Sequence, residues 1–366
     1  MILRLVWENV RFRPMRTLLS LMLIGMSVNI ILTLVGITQG FVADMRRRSA
    51  GTGADVMVRP TGSSFGTGTN NTIPPTYVGY FGKQPHVVVS TGIMQVAAGR
   101  VFDMISGIDQ AAFERMSGGL DFQEGHGFVK PRDAIVDTDY AAQLHLHVGS
   151  QLKLQNQMWT VCGIVGTGKL GHIFVRLEDL RDVTGATGLG QIYLKVDRPE
   201  NVDSVVAALK ATPQLADYPI FSMKEWLDLT SVDNISGVSI FLDVIIGFGV
   251  CTCILVVLMS MYLAVLQRTR EIGILKSLGA TKRLVMTLVL GESIVAGIGG
   301  TIAGILLSFL ARQVLKTFVP ASLPVAIVIG WWPKAGAIAI ASALVGALYP
   351  GWKAVRQDPI EALAHE

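Results

Sequence analysis

Charge is scarce in this chain. Only 16% of its 366 residues are Asp, Glu, Lys or Arg, 51% are hydrophobic, and the mean hydropathy is +0.49. An ordinary soluble domain carries roughly a quarter charged residues. The shortfall predicts an integral membrane protein, with enough length for one further folded domain. Cysteine is almost missing: Cys162 stands alone, and Cys251 and Cys253 sit inside an apolar run. No disulfide framework can form around Cys162, and the other two read as small buried hydrophobes. No basic tract interleaved with aromatics occurs, so the net charge of +4 does not point to nucleic acid. There is no H-E-x-x-H sequence and no Ser/His/Asp set, and no repeat period that would build a solenoid. His145 and His147 alternate along LHLH and would share one side of an extended segment. No carboxylate or thiolate nearby completes a metal set with them.

What the chain does have is long apolar runs. Residues 17–43, 241–266, 284–311 and 335–352 are each read as a transmembrane helix, about 20 apolar residues being enough to cross a bilayer core. The first is too long for a cleavable signal, and no small-residue cleavage site follows it. Basic residues set the orientation. Arg4, Arg11, Arg13 and Arg16 lie in the lead-in, 1–16; Arg268, Arg270, Lys276, Lys282 and Arg283 lie in the loop 267–283; Lys353 and Arg356 lie in the tail, 353–366. All three segments are expected on the cytoplasmic side, which places both termini in the cytoplasm and the loop 312–334 outside. Arg46, Arg47 and Arg48 argue the other way, but they open an insertion of about 200 residues, and long domains translocate largely regardless of charge.

That insertion, 44–240, is expected to be an extracytoplasmic mixed α/β domain between the first and second spans. VVVS from Val87, QLKLQNQMWTVCGIV from Gln151 and QIYLKVD from Gln191 read as strands. AAFERM from Ala111 and NVDSVVAALKAT from Asn201 read as helices, the second with Asn201 as its N-cap. TGSSFGTGTNNTIPPT, from Thr61, reads as a mobile loop. The stretch GIVGTGKL, Gly163–Leu170, nearly spells a phosphate-binding loop. Leu170 stands where a Ser or Thr hydroxyl must hold Mg²⁺, and GHIFVRLEDL reads first as a strand, so its glycines are expected to make a turn after a core strand.

Within the spans, Glu292 is expected to snorkel or to pair with a base, Lys282 and Arg283 being about two turns away. Asn29 is expected to bond across to another helix, and the Gly36–Gly40 and Gly300–Gly304 pairs permit close helix contact. In the loop, a helix from Arg270 to Leu278 would present Ile272, Leu275 and Leu278 on one apolar face. Gly279 would stop that helix and Thr281 would cap the next.

The loop as a whole, QRTREIGILKSLGATKRLVMTLVLGES, resembles the signature of the FtsX/MacB-like permease family, the membrane subunits of type VII ABC transporters. The matching residues are Arg270, Glu271, Ile272, Gly273, Lys276, Leu278, Gly279, Ala280 and Thr281. The lead-in LRLVWENVRFRPMRTLLSLMLIGMSV and the tail YPGWKAVRQDPIEALAHE are similar to the family's two ends. AIVDTDYAAQLHLHVGSQLKLQNQMWTVCGIV resembles the MacB-like periplasmic core domain, while Val56–Pro85 carries no such likeness. The resemblance implies a permease of the bacterial cytoplasmic (inner) membrane, in which the nine matching residues form the coupling helix gripped by a cytoplasmic ABC ATPase dimer. It implies no cofactor and no catalysis in this chain, ATP and Mg²⁺ being bound by the ATPase. A second permease copy, identical or related, membrane lipid and a periplasmic adaptor are the other implied partners. ATP-driven motion would pass to the outer domain and expel or extract a hydrophobic substrate such as a lipid, lipoprotein or amphipathic compound. The alternative is an FtsX-like subunit that transports nothing and controls a cell-wall hydrolase or sensor; the size of the insertion favours transport.

Overall fold

The computed structural model describes residues 14–63, 71–98, 103–231, 234, 236–318 and 324–356. The lead-in before Pro14, the Asp-Pro tail and part of the Gly/Ser/Thr loop lie outside the described residues. In chain order the elements are α1 (Pro14–Ala50), β1 (Val56–Val58), α2 (Thr76–Phe81), β2 (Val87–Ala97), β3 (Met104–Ile108), α3 (Gln110–Ser117), β4 (Phe122–Gly125) and β5 (Asp133–Asp137). There follow α4 (Thr138–Leu144), β6 (Gln151–Leu154), β7 (Gln157–Val165), β8 (Ile173–Arg176), α5 (Leu177–Thr184), β9 (Gln191–Val196), α6 (Val202–Lys210), β10 (Ile220–Ser222) and α7 (Met223–Leu229). The chain then continues through α8 (Ser236–Gln267), α9 (Thr269–Ser277), α10 (Lys282–Phe318) and α11 (Trp332–Arg356). Four helices, α1, α8, α10 and the segment ending in α11, are long and apolar enough to cross a membrane. The chain divides into two compact units: the helical one takes residues up to Gln39, Gly237–Leu315 and Val325 onward, and the other takes Gly40–Ser236 and Lys316–Pro324.

In the helical unit small residues decide the packing, because lipid offers apolar helices no hydrophobic reason to associate and close approach must supply the attraction. A Cβ on Gly25 of α1 would lie 3.1 Å from the Gly304 nitrogen and 3.2 Å from the Gly300 oxygen of α10, so the Gly300–Gly304 pair is a true contact face. Helix α11 buries Ala335, Ala339, Ala343 and Ala347, one per turn, and a Cβ on its Gly346 would meet the Ile254 carbonyl of α8 at 2.6 Å. Ser20 and Ser260 join α1 to α8 with their hydroxyls 2.5 Å apart. Asn29 differs from expectation: its side chain accepts from Thr33, one turn along the same helix, at 3.2 Å. Aromatic rings and cations gather at two levels, as they do at membrane–water interfaces. Lys353 donates to Tyr262 at 2.8 Å and Arg356 lies 4.0 Å over Trp352, while Lys334 lies 4.9 Å over Trp331 beside the Phe309–Trp332 pair.

The other unit is one mixed sheet in the order β10-β1-β9-β2-β3-β8-β5-β7-β4, with β6 hairpinned onto β7. Strand β2 is the hinge of this arrangement. Its first part, Val87–Ile93, pairs antiparallel with β9, and its last part, Met94–Ala97, pairs with β3, so one strand serves two half-sheets. Helix α3 is capped by Asp109, which accepts from the Ala112 N–H at 3.2 Å, and closes on Gly118 at φ 76°. Asn201 does not cap α6. A 3₁₀ turn, Pro199–Asn201, precedes that helix, and the Asn201 amide is held by Asp197 and His86 instead. His145 and His147 do not lie along a strand: His145 ends α4 at φ 52° and His147 begins the following turn. Beyond the undescribed part of the Gly/Ser/Thr loop the chain is anchored, since Ile73 is fully buried and bridges Leu189.

The near phosphate loop is a seat for the end of α1. Gly163 lies inside β7, with a Cβ there meeting the His126 carbonyl at 2.6 Å, so it is not a turn residue. Gly168, at φ +100°, makes the turn, and β8 rather than a helix follows. The Arg47 guanidinium donates to Thr167 at 3.0 Å, Leu170 N–H donates to the Arg48 carbonyl at 3.0 Å, and a Cβ on Gly51 would overlap the Gly168 carbonyl. Lys169 donates to the carbonyls of Ser117 and Gly119. Cys162 is buried in this core, which pushes its thiol up to about 12 and leaves it inert.

Arg48 is itself buried. Its guanidinium donates to Asp44 at 2.6 Å, to the Gly171 carbonyl at 2.8 Å and to Asp137 at 3.0 Å, and Asp137 also meets His172 at 2.8 Å. The other Asp137 oxygen caps α4 through the Tyr140 N–H at 2.9 Å. Burial alone would raise the Asp137 carboxyl, but the His172 hydrogen bond, the charges of His172 and Arg48 and the Tyr140 N–H outweigh it and hold it below the usual range. A depressed carboxyl stabilises the fold above its ordinary value near 3.8 and loses that contribution as pH falls through the lowered value.

Two predictions follow from this packing. Asp137→Asn costs about 3 kcal/mol at neutral pH, as breaking one partner of a buried ion pair does. Hydrogen exchange at β5 and β8 reads the loss, and the gap from wild type closes as pH drops below about 4. In the helical unit, Gly304→Leu lowers the thermal midpoint in detergent by an overpacking cost of about 1–3 kcal/mol. Gly247→Leu, where a Cβ meets nothing within 4 Å, leaves the midpoint unchanged.

Candidate functional site: the loop between the second and third spans

Helix α9 follows α8 after a single residue, Arg268, whose φ of −117° breaks the helical run. The Arg268 guanidinium turns inward and donates to Glu292 of α10 at 2.7 Å, both side chains being only about a tenth exposed. Glu292 therefore has a base as partner, but it comes from the start of the loop rather than from Lys282 or Arg283. Lys276, two turns along α9, donates to the Val355 carbonyl near the end of α11 at 2.7 Å. Between these two anchors Gly273 is buried and Ile272 packs against the core of the four helices. One face of a nine-residue helix is thus fixed to α10 and α11 by two charged bonds and an apolar contact.

The end of α9 is closed by local chemistry. Gly279 takes φ +91°, Ala280 N–H reaches back to the Leu275 carbonyl and Gly279 N–H to the Lys276 carbonyl, both at 3.0 Å. These two bonds are a Schellman closure, which glycine permits at no steric cost. Thr281 then accepts from the Leu284 N–H at 3.3 Å and caps α10.

The expected face of Ile272, Leu275 and Leu278 is not one face. Ile272 turns into the bundle, whereas Ile274, Leu275 and Leu278 are exposed, Leu278 at 81%. Arg270, Glu271, Gly279 and Thr281 are exposed with them, and Ala280 is half-buried. The loop therefore presents apolar and charged side chains outward together, a pattern suited to a protein partner. The structure divides the nine signature residues: Ile272, Gly273 and Lys276 hold the helix in place, Gly279, Ala280 and Thr281 shape its exit, and Arg270, Glu271 and Leu278 face outward. Sequence reasoning missed Arg268 and Glu292 as a pair, because 24 residues separate them and only the antiparallel return of α10 brings them together. Among the described residues no group of three His, Cys, Asp or Glu side chains is placed to hold a metal ion. Either single variant, Arg268→Gln or Glu292→Gln, is expected to cost about 3–5 kcal/mol by stranding a buried charge, and the double variant less than their sum. Thermal unfolding of the four proteins in detergent measures the coupling.

Known proteins agree with this division of the chain. The family model for the FtsX-like permease C-terminal matches residues 244–359, and that for the MacB-like periplasmic core domain matches residues 17–212, running through Val56–Pro85 as well. The chain is similar to the uncharacterized ABC transporter permease YknZ of Bacillus subtilis, 24% identical over all of this chain and 98% of that protein. It is 26% identical to the macrolide export ATP-binding/permease protein MacB of Burkholderia cenocepacia, over 99% of this chain but only 57% of that protein. Among solved structures, the periplasmic region of MacB from Actinobacillus actinomycetemcomitans aligns with 48% of this chain and 92% of its own, at 17% identity and a TM-score of 0.38. The helical unit with its loop and the sheet domain between the first two spans together make this chain a member of the FtsX/MacB-like ABC transporter permease family.

Proposed function

We propose that the loop from Arg270 to Thr281 is the surface on which a cytoplasmic ABC ATPase acts, and that the chain works as one of two permease copies on an ATPase dimer that binds ATP and Mg²⁺. The observation that carries this reading is the two-sided construction of α9. Its inner face is bonded to α10 through Arg268–Glu292 and to α11 through Lys276, so a push on its outer face moves those helices rather than bending the loop. Both termini lie with this loop in the cytoplasm, and the sheet domain lies outside the cell's inner membrane, consistent with the basic residues of the loop and the tail. The names of the relatives support a separate ATPase: YknZ, spanned almost end to end, is called a permease, and MacB, spanned for 57%, is called ATP-binding and permease. The cycle then transmits motion to the outer domain and drives export or extraction of a hydrophobic or amphipathic substrate, with an adaptor as a further partner.

Arg270→Glu with Leu278→Asp changes outward-facing side chains and leaves the Arg268–Glu292 anchor untouched. It is expected to reduce stimulation of the co-reconstituted ATPase at least tenfold while hydrogen exchange in the sheet domain stays as in wild type. Full stimulation by that double variant removes α9 as the coupling element.

A further inference from the structure

The end of the helical unit remote from the coupling loop gathers hydrogen-bond donors and lacks carboxylates. No Asp or Glu occurs from Ser293 to Gln357, a stretch that takes in α10 beyond Glu292 and all of α11. Between those helices the segment 325–331 closes on α1. The Ala326 N–H donates to the Gly36 carbonyl at 3.0 Å, and a Cβ on Gly36 would lie 2.7 Å from the Ala326 carbonyl oxygen. Arg312, toward the end of α10, donates through Nε to the Val325 carbonyl at 3.0 Å. That bond orients the guanidinium, and among the described residues its two terminal nitrogens have no acceptor.

The surroundings of Arg312 repeat the pattern. Trp332 borders the same small cleft as Arg312 and meets the Phe309 ring at 6.0 Å. The Lys334 ammonium lies 4.9 Å over the Trp331 ring, a contact that supplies no acceptor. Neither indole N–H has an acceptor among the described residues. Asp243, near the start of α8, is exposed and forms no ion pair with Arg312 or Lys334. Phe309, one turn before Arg312 on the same face of α10, is exposed, as are Ile327 and Ile329 of the connecting segment. Cations and rings at the end of a span mark the membrane–water boundary, and basic pockets between spans suit phospholipid heads. A phosphodiester carries only acceptors and matches a guanidinium in bidentate geometry. A choline or ethanolamine head adds a cation that this end has no carboxylate to receive, whereas a glycerol head adds none.

We propose that this end of the helical unit binds an anionic phospholipid, with its phosphate on the Arg312 guanidinium and its acyl chains along Phe309, Ile327 and Ile329. Lys334 disfavours heads that carry a cation. Binding needs the spans and no ATPase, so it goes beyond the transport reading and does not depend on it.

The test places the full chain, without ATPase, in phosphatidylcholine nanodiscs doped with phosphatidylglycerol bearing a diazirine on one acyl chain. Photoactivation is expected to label the peptides holding Phe309 and Ile327 saturably. Unlabelled phosphatidylglycerol in the disc competes, and the same share of phosphatidylethanolamine does not. Apparent affinity falls about tenfold in Arg312→Gln, the loss expected for one charged hydrogen bond. Because that variant also releases the Val325 carbonyl, Lys334→Glu is the second. It changes an exposed side chain, so the thermal midpoint stays as in wild type while the preference for phosphatidylglycerol is lost. Displacement of the label by inorganic phosphate makes the site one for a free anion and overturns the lipid assignment. Even labelling of all four spans, equal competition by phosphatidylethanolamine, or wild-type affinity in both variants overturns it as well.

Discussion

The helical unit depends on the ion pair between Arg268 and Glu292. A carboxylate within an otherwise apolar helix is tolerated only when a cation meets it with good geometry, since the cost of removing two charges from water must be returned by the bond between them. Arg268 meets that demand from the one residue that separates α8 from α9, and the pairing fixes where α9 begins. Lys276 fixes its other end on the Val355 carbonyl, and the closure at Gly279 with the cap at Thr281 leaves no slack before α10. The loop is held at both ends because Arg268 and Lys276, though not Arg270, are spent inward. Its leucines face outward for the same reason: the inner face is already occupied, so the apolar surface of α9 is left for something else to cover.

Close backbone approach is the second constraint, and it explains where the small residues fall. Gly25 against Gly300 and Gly304, and the alanines of α11 against α8 and α10, let helices meet at distances that larger side chains forbid. Such contacts gain through dispersion summed over many atoms rather than through exclusion of water. They resist deformation, because a ridge of glycines and alanines has one position of best fit. On the proposed function, a displacement delivered to α9 would be passed on by helices that move as bodies.

Local chemistry was legible in the sequence and distant pairing was not. The Gly279 stop and the Thr281 cap could be read from residue type because both bonds form within a few residues. Gln151–Val165 reads as strand for the same reason, and the structure folds it into a hairpin on a two-residue turn. Asn201 looked like a cap and was drawn away by Asp197 and by His86, which is 115 residues distant. Asn29 looked like a link between helices and instead met a Thr one turn away in its own helix. The clearest case is the arginine triplet after the first span. As bare sequence it is a basic cluster on the wrong side for the expected orientation. In the fold Arg48 is locked between Asp44 and Asp137, and Arg47 holds Thr167, so its charges are partly answered inside the domain. Counting cations beside a span presumes that they face lipid headgroups, and Arg48 does not.

The near phosphate loop shows how one composition arises from two demands. A phosphate-binding turn needs glycines so that backbone can crowd an anion, and a lysine to meet its oxygens. The turn around Gly168 also needs a glycine for close approach, here of the Arg47 side chain and the Gly51 backbone at the end of α1. Lys169 also meets oxygens, but they are the carbonyls of Ser117 and Gly119 at the C-terminal end of α3, where a helix leaves acceptors unsatisfied and its dipole favours a cation. The resemblance is physical, not accidental: in both settings a glycine-rich turn and a lysine answer a concentration of negative oxygen. What separates them is the element that follows. A helix N-terminus would aim N–H groups at a phosphate, whereas β8 sends its N–H groups into ladders with β3 and β5 and has none to offer. Leu170, buried beside that strand, seals the turn against the core and brings no hydroxyl to the place where a phosphate loop holds Mg²⁺.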